Sequence, residues 1–289
     1  MTTTASKPPP LAPGTRLLGE VIAWTCAGVA VPHLEVVDAL RAAGLDESVA
    51  RELAPRHAFS RACKRLSDRR IIRAVAETER ELLFQFTAES RRGDRIDYTL
   101  ETVLTLDKKT GRVSCDLPGL ATLAQEELDR CVAVRGGSDV TRVLQRLFER
   151  EADLFPVRPQ GGCYFVPAGH ADFTDRAQLF LGRIRGQMLR FPVPAGTDRG
   201  DRSVQEAVAS GLASLIAEHR AAVAGFGGDT RPGTLERAAE RIRATRLKVE
   251  GYAEYLADGK AGLERALGAA RDELRAKVEQ LAAEAAATA

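Results

Sequence analysis

The chain has 289 residues, 44% of them hydrophobic and 28% charged, with a formal net charge of +2. That composition excludes a wholly disordered chain and leaves enough apolar side chain for about one to three domains. Near-neutral charge excludes polyanion binding by bulk electrostatics, so a nucleic-acid role requires a local basic face.

Residues 1–15 are rich in Thr and Pro and read as a disordered tail, because consecutive prolines favour an extended chain that does not pack. They lack the apolar stretch of a signal peptide. The longest apolar run, 21–31, is about half of the ~20 residues a membrane span needs. The expectation is a soluble, cytoplasmic protein with no membrane partner.

Residues 17–53 read as helical, with Val21, Ile22, Trp24 and Cys26 opening an apolar segment that Pro32 interrupts. A second helix carries Leu34, Val37, Ala39 and Leu40 and stops at Gly44 after Arg41. Asp46 can cap a short helix over 47–53 by accepting its free backbone N–H groups.

Residues 55–86 are the most informative stretch. A basic helix carries Arg56, His57, Arg61, Lys64, Arg65, Arg69 and Arg70 around an apolar stripe of Phe59, Ala62, Cys63 and Leu66. It runs into a hairpin of 71–75 and 82–86. A helical unit followed by a two-stranded wing is the order of a winged helix-turn-helix, in which the last helix enters a groove. Cations on that helix can neutralise phosphates, and Ser60 can touch phosphate or base. A solvated face on an Arg-rich chain explains the same pattern without any ligand.

Residues 96–114 give a second hairpin, with Tyr98, Leu100, Thr102, Leu104 and Leu106 alternating and Gly111 in the turn. Helices are expected over 121–130 and 140–151, the latter capped by Ser138 or Asp139. A hairpin turning at Gln160-Gly161-Gly162 and a helix over 172–185 follow. This repeats the order of helix and wing, so residues 119–190 are a candidate second winged-helix unit beside the first, 16–118. Arg158 at that wing tip can reach a phosphate or a minor groove, although the two glycines are what a tight turn requires.

Residues 191–233 read as a Pro/Gly/Asp linker over 191–202, a helix over 203–224 and a Gly-rich loop. From 234 to 289 the chain is a long helix or helical hairpin. Leu235, Ile242, Val249, Leu256 and Leu263 recur every seven residues, and Leu267, Leu274 and Leu281 continue in a shifted seam. Gly259 and Gly262 place a break near 259–262, at about 1 kcal/mol per helical glycine. Residues 234–285 are the candidate surface for a second copy or a partner helix.

No catalytic or metal motif emerges. The five cysteines, Cys26, Cys63, Cys115, Cys131 and Cys163, contain no C-x-x-C pair, and Cys63 and Cys163 read as small core residues in a reducing compartment. The four histidines, His33, His57, His170 and His219, are scattered. His170 with Asp172 and Asp175 is explained by acidic residues at a helix start. Gly225-Phe226-Gly227-Gly228 lacks the phosphate-loop pattern. No cofactor is expected.

The fold class is therefore mainly α with small antiparallel β-hairpins (α+β). It holds one or two winged-helix-like units and a C-terminal coiled coil. The leading expectation is a non-enzymatic DNA-binding (or RNA-binding) protein, with Arg56, His57, Ser60, Arg61, Lys64, Arg65, Arg69, Arg70 and Arg158 as contacts. The alternative is an adaptor using the same modules for protein–protein interaction. An enzyme built from dispersed residues is a third, weaker reading, and would show as a large polar pocket.

Overall fold

The first regular element is a strand, β1 (Leu17–Thr25), where the apolar spacing predicts a helix. Val21, Ile22, Trp24 and Thr25 are β-branched or aromatic and suit a pleated surface. Their spacing fits a helix as well, because a short apolar run does not separate the two periods. Pairing with strands far along the chain decides the matter.

The computed structural model describes residues 14–68, 70–92, 94–158, 160–256 and 259–288. Of the tail expected over 1–15, only 14 and 15 are among them, and Arg69 lies outside them. The chain is mixed α+β, with small antiparallel sheets and C-terminal helices. It forms two compact units, one within Met1–Trp24, Phe148–Asp175 and Met188–Ala289, the other within Thr25–Leu147 and Arg176–Gln187.

In the first unit a sheet runs in the order β10 (Gln187–Pro194), β1, β9 (Tyr164–Pro167), β8 (Phe155–Pro156). β1 and β9 are antiparallel, with Gly19 opposite Pro167 and Ile22 opposite Tyr164. The predicted turn joins β8 to β9: Gly161 and Gly162 have φ of 69° and 80°, and the Val157 N–H donates to Cys163 O at 3.0 Å. The expected linker over 191–202 is corrected here. Its start belongs to β10, and helix α6 (Asp198–Ala224) has begun before its end. Pro192 and Pro194 suggested a linker; β10 tolerates them because it lies at the sheet edge.

Helices α7 (Pro232–Gly251), α8 (Ala253–Leu256) and α9 (Lys260–Thr288) follow α6; the break expected near 259–262 is corrected, because α9 has begun at Lys260 and Gly262 lies within it. Ile242, Val249, Leu256, Leu263, Leu267 and Leu274 are all buried. They join Val208, Leu212 and Ile216 of α6 and Phe155 and Phe165 of the sheet. The heptad series is thus spent largely inside its own unit, at roughly 1.5–3 kcal/mol per buried side chain.

Beside that core, the Tyr252 hydroxyl donates to Asp153 Oδ2 at 2.6 Å, His170 Nε2 lies 3.1 Å from the same hydroxyl, and Lys248 pairs with Asp153. Burial, then the Asp153 hydrogen bond, pushes the phenol upward from its ordinary pKa. Tyr252→Phe removes both bonds while keeping the ring, so a loss of about 1–2 kcal/mol is expected. Trp24, stacked on Tyr164 at 5.1 Å, is the single tryptophan and reports the unfolding of this unit in urea. An unchanged midpoint would show that the network adds nothing to stability.

The second unit begins with β2 (Ala30–Pro32) and α1 (His33–Ala42). A short 3-10 turn, Glu47–Val49, follows where a helix over 47–53 is predicted, and Asp46 caps it by accepting the Ser48 N–H at 2.9 Å. Next comes α2 (Pro55–Arg65), the basic helix, started by Pro55 at its first position. The two predicted hairpins are one antiparallel sheet, β3 (Arg70–Glu77), β4 (Glu81–Arg92), β5 (Arg95–Asp107) and β6 (Val113–Ser114), paired in chain order.

Phe59, Ala62 and Cys63 of α2 and Leu128 of α3 (Pro118–Ala133) pack with Phe84, Phe86, Leu104 and Leu106 of that sheet. Phe59 meets Phe84 edge-on at 5.5 Å between ring centres. Cys63 is core, as its stripe predicts, and burial pushes its thiol up to about 12. The alternation over 98–106 does not bury one continuous stripe. Thr102, Leu104 and Leu106 are buried, while Tyr98 and Leu100 are exposed. The register skips Glu101, with Phe86 opposite Thr102 and Thr87 opposite Leu100. Residues 98–100 are all exposed, so this end of the hairpin is covered on neither face.

β7 (Val134–Gly136) pairs with β2, setting Arg135 opposite Val31, and α4 (Gly137–Glu151) starts at once. Helix α5 (Ala171–Arg183) is the one predicted over 172–185.

Candidate functional site

The amphipathic pattern of α2 turns its apolar side to the sheet and its cations outward. Tertiary structure then neutralises most of them. Arg56 lies 3.6 Å from Glu77 and Arg65 3.3 Å from Glu127. Arg70, which opens β3, makes two bonds to Glu101 at 2.6 and 2.9 Å. Arg61 makes two to Asp139, at 2.6 and 2.9 Å. Lys64 is exposed. Arg158 belongs to the other unit, where its Nε donates to Gly161 O and braces the glycine turn.

His57, Ser60 and Arg61 come together in a cleft of about 570 Å³. His33 of α1 and Arg51 and Glu52 line it from the α1–α2 connection. Arg135, Asp139, Arg142 and Arg146 line it from β7 and α4, with Val140 and Val143 as apolar lining. Five arginines meet two carboxylates there.

Asp139 organises that charge. From inside α4 its Oδ2 accepts the Gly136 N–H at 3.1 Å, a reach back to an unsatisfied donor, while it holds Arg61. Burial raises its pKa, but the Arg61 and Gly136 hydrogen bonds and the charges of Arg61 and Arg135 outweigh this and hold it below the usual aspartate value.

Arg135 is the anomaly. It is only 6% exposed. Its Nη1 donates to Val132 O at 2.9 Å and Cys131 O at 3.4 Å, at the carbonyl end of α3. No carboxylate lies within ion-pair distance of it among the described residues. Burial, reinforced by the charge of Arg61, lowers its pKa below the ordinary arginine value against the opposing pull of Asp139 and Glu52. Burial, then the charge of Arg135, holds His33 below the ordinary imidazole pKa against the opposing pull of Glu52. Arg146 bonds Val49 O at 3.1 Å. Arg51 and Arg142 form no ion pair among the described residues.

Sequence reasoning found three lining residues and missed His33, Arg51, Arg135, Arg142 and Arg146. Asp139, Arg142 and Arg146 recur at three and four residues, which puts them on one face of α4, and that signal was available. Nothing local marks Arg135, whose burial follows from the pairing of β2 with β7.

Among the described residues no helix is long and apolar enough to cross a membrane. Neither a curated protein nor a solved structure matches the chain. Residues 17–287 match the model of DUF6744, a family of unknown function, and the chain belongs to that family.

Proposed function

We propose that this member of DUF6744 is a non-enzymatic nucleic-acid-binding protein whose second unit holds the phosphate backbone at the cleft beside α2. The observation that carries this reading is the excess of arginine there, five against two carboxylates. The succession of α1, the 3-10 turn, α2 and the β3–β4 hairpin keeps the order of a winged helix. On this reading His57, Ser60 and Arg61 contribute from α2, and Lys64 and Arg142 extend the positive surface. Self-association through the C-terminal helices would use exposed apolar positions such as Leu247 and Val278, because the heptad seam is already buried.

The test is fluorescence anisotropy of labelled duplex and single-stranded DNA and RNA at about 50 and 200 mM salt. Three unmatched cations imply about three released counterions, hence a loss on the order of 20- to 40-fold across that range. No binding at the lower salt overturns the reading. The adaptor reading then takes its place, favoured by the ion pairs that cover Arg56, Arg61, Arg65 and Arg70.

A further inference from the structure

A cavity of about 570 Å³ is the size of a small-molecule site. Its chemistry is narrower than general polyanion binding. Arg135 is a buried guanidinium whose protein partners are two neutral carbonyls. Buried charges are ordinarily paired, and an unpaired one favours an incoming counter-charge.

Its Nε and Nη2 make no bond among the described residues. No fully buried side-chain nitrogen there lacks a hydrogen-bond partner, so both keep accessible surface. The guanidinium therefore has donors left to offer in the cavity that it lines. Arg61, fixed by two bonds to Asp139, presents a second oriented guanidinium to the same space. Planar guanidinium forks match the oxygens of phosphate in pairs. Ser60 adds a hydroxyl donor.

Site charge selects ligand charge. A phosphodiester inside a strand carries one negative charge and two chain exits. A phosphate monoester approaches two negative charges near pH 7 and has three free oxygens. In a partly desolvated site the Coulomb attraction scales with the ligand's charge. We infer that the cleft formed by α1, α2, β7 and α4 is a receptor for a nucleoside phosphate monoester, either the phosphorylated end of a single strand or a free nucleotide, with Arg135 and Arg61 holding the phosphate. This deepens the nucleic-acid reading and rests on it for the strand-end source.

The test uses the full chain with one single-stranded oligonucleotide bearing a 5′-phosphate, a 3′-phosphate or hydroxyls at both ends, and with free nucleoside monophosphate by calorimetry. A terminal phosphate is expected to tighten binding at least tenfold. Arg135→Met should abolish that preference. Arg142→Gln, at an exposed position with no ion pair among the described residues, should reduce it several-fold in a chain whose folding is undisturbed. Equal, salt-sensitive binding of all three oligonucleotides overturns the inference and leaves the nucleic-acid reading standing. Binding of the free nucleotide alone supports the monoester site and overturns the strand reading. No binding of any probe overturns both.

Discussion

Asp139→Ala is expected to destabilise the second unit by about 2–3 kcal/mol and, at the same time, to tighten its hold on polyanions. The carboxylate bonds Arg61 twice and satisfies the Gly136 N–H at the start of α4. Both partners are largely screened from water, with side chains 29% and 13% exposed. Removing one member of such a pair leaves the other charge uncompensated, and losing a helix-start acceptor adds about 1 kcal/mol. The same change removes one of the two carboxylates in the cleft, so affinity should rise where stability falls. Asp139→Asn keeps an acceptor for Gly136 and should lose less stability.

The pH dependence follows from the lowered pKa of Asp139. A carboxylate depressed in the folded state contributes its full stabilisation above the unfolded value, about 3.8. That contribution disappears as pH falls from there through the lower folded value. Urea titrations followed by circular dichroism should therefore show the wild-type advantage over Asp139→Ala near pH 7 shrinking below about pH 4. Parallel stability curves at both pH values would reject Asp139 as the source of the advantage.

Gly19→Ala should be the most damaging single methyl in the first unit. A Cβ at Gly19 would lie 2.1 Å from the Val166 carbonyl oxygen and 2.8 Å from two ring atoms of Phe165. The carbonyl belongs to β9, paired with β1 at this register, so relief requires the two strands to part. Overpacking of this kind costs about 3 kcal/mol. Trp24 fluorescence in urea measures it, and Gly228→Ala, where the added methyl meets nothing within 4 Å, is the matched control. Equal midpoints for the two variants would contradict the close approach of β1 and β9.

The parts of this molecule legible in its sequence are those with a strong local period. The α2 stripe, the hairpin strands over 71–75 and 82–86 and the glycine turn at 160–162 all lie where the pattern puts them. β1 and β10 were illegible for two different reasons. The spacing of Val21, Ile22 and Trp24 suits either period, and the prolines of β10 are compatible with a strand only at a sheet edge. The cleft was half legible. Its α2 side lies on a periodic helix, and its α4 side lies on a second one whose apolar stripe is the stronger local signal.

By itself the sequence determined which segments have an apolar face and where turns and caps fall, because these depend on residues within a few positions of one another. Only the tertiary structure decided what the arginines do. Arg61 and Asp139 are 78 residues apart, Arg65 and Glu127 62 apart, and Arg70 and Glu101 31 apart. Local periodicity places a cation on a face but carries no information about the carboxylate that meets it. It also could not reveal that Arg135, in a three-residue strand, would be buried with no carboxylate in ion-pair distance among the described residues. Folding converts a uniformly basic helix into a neutralised flank and a cationic cleft, because ion pairing depends on distances in space that sequence spacing does not encode.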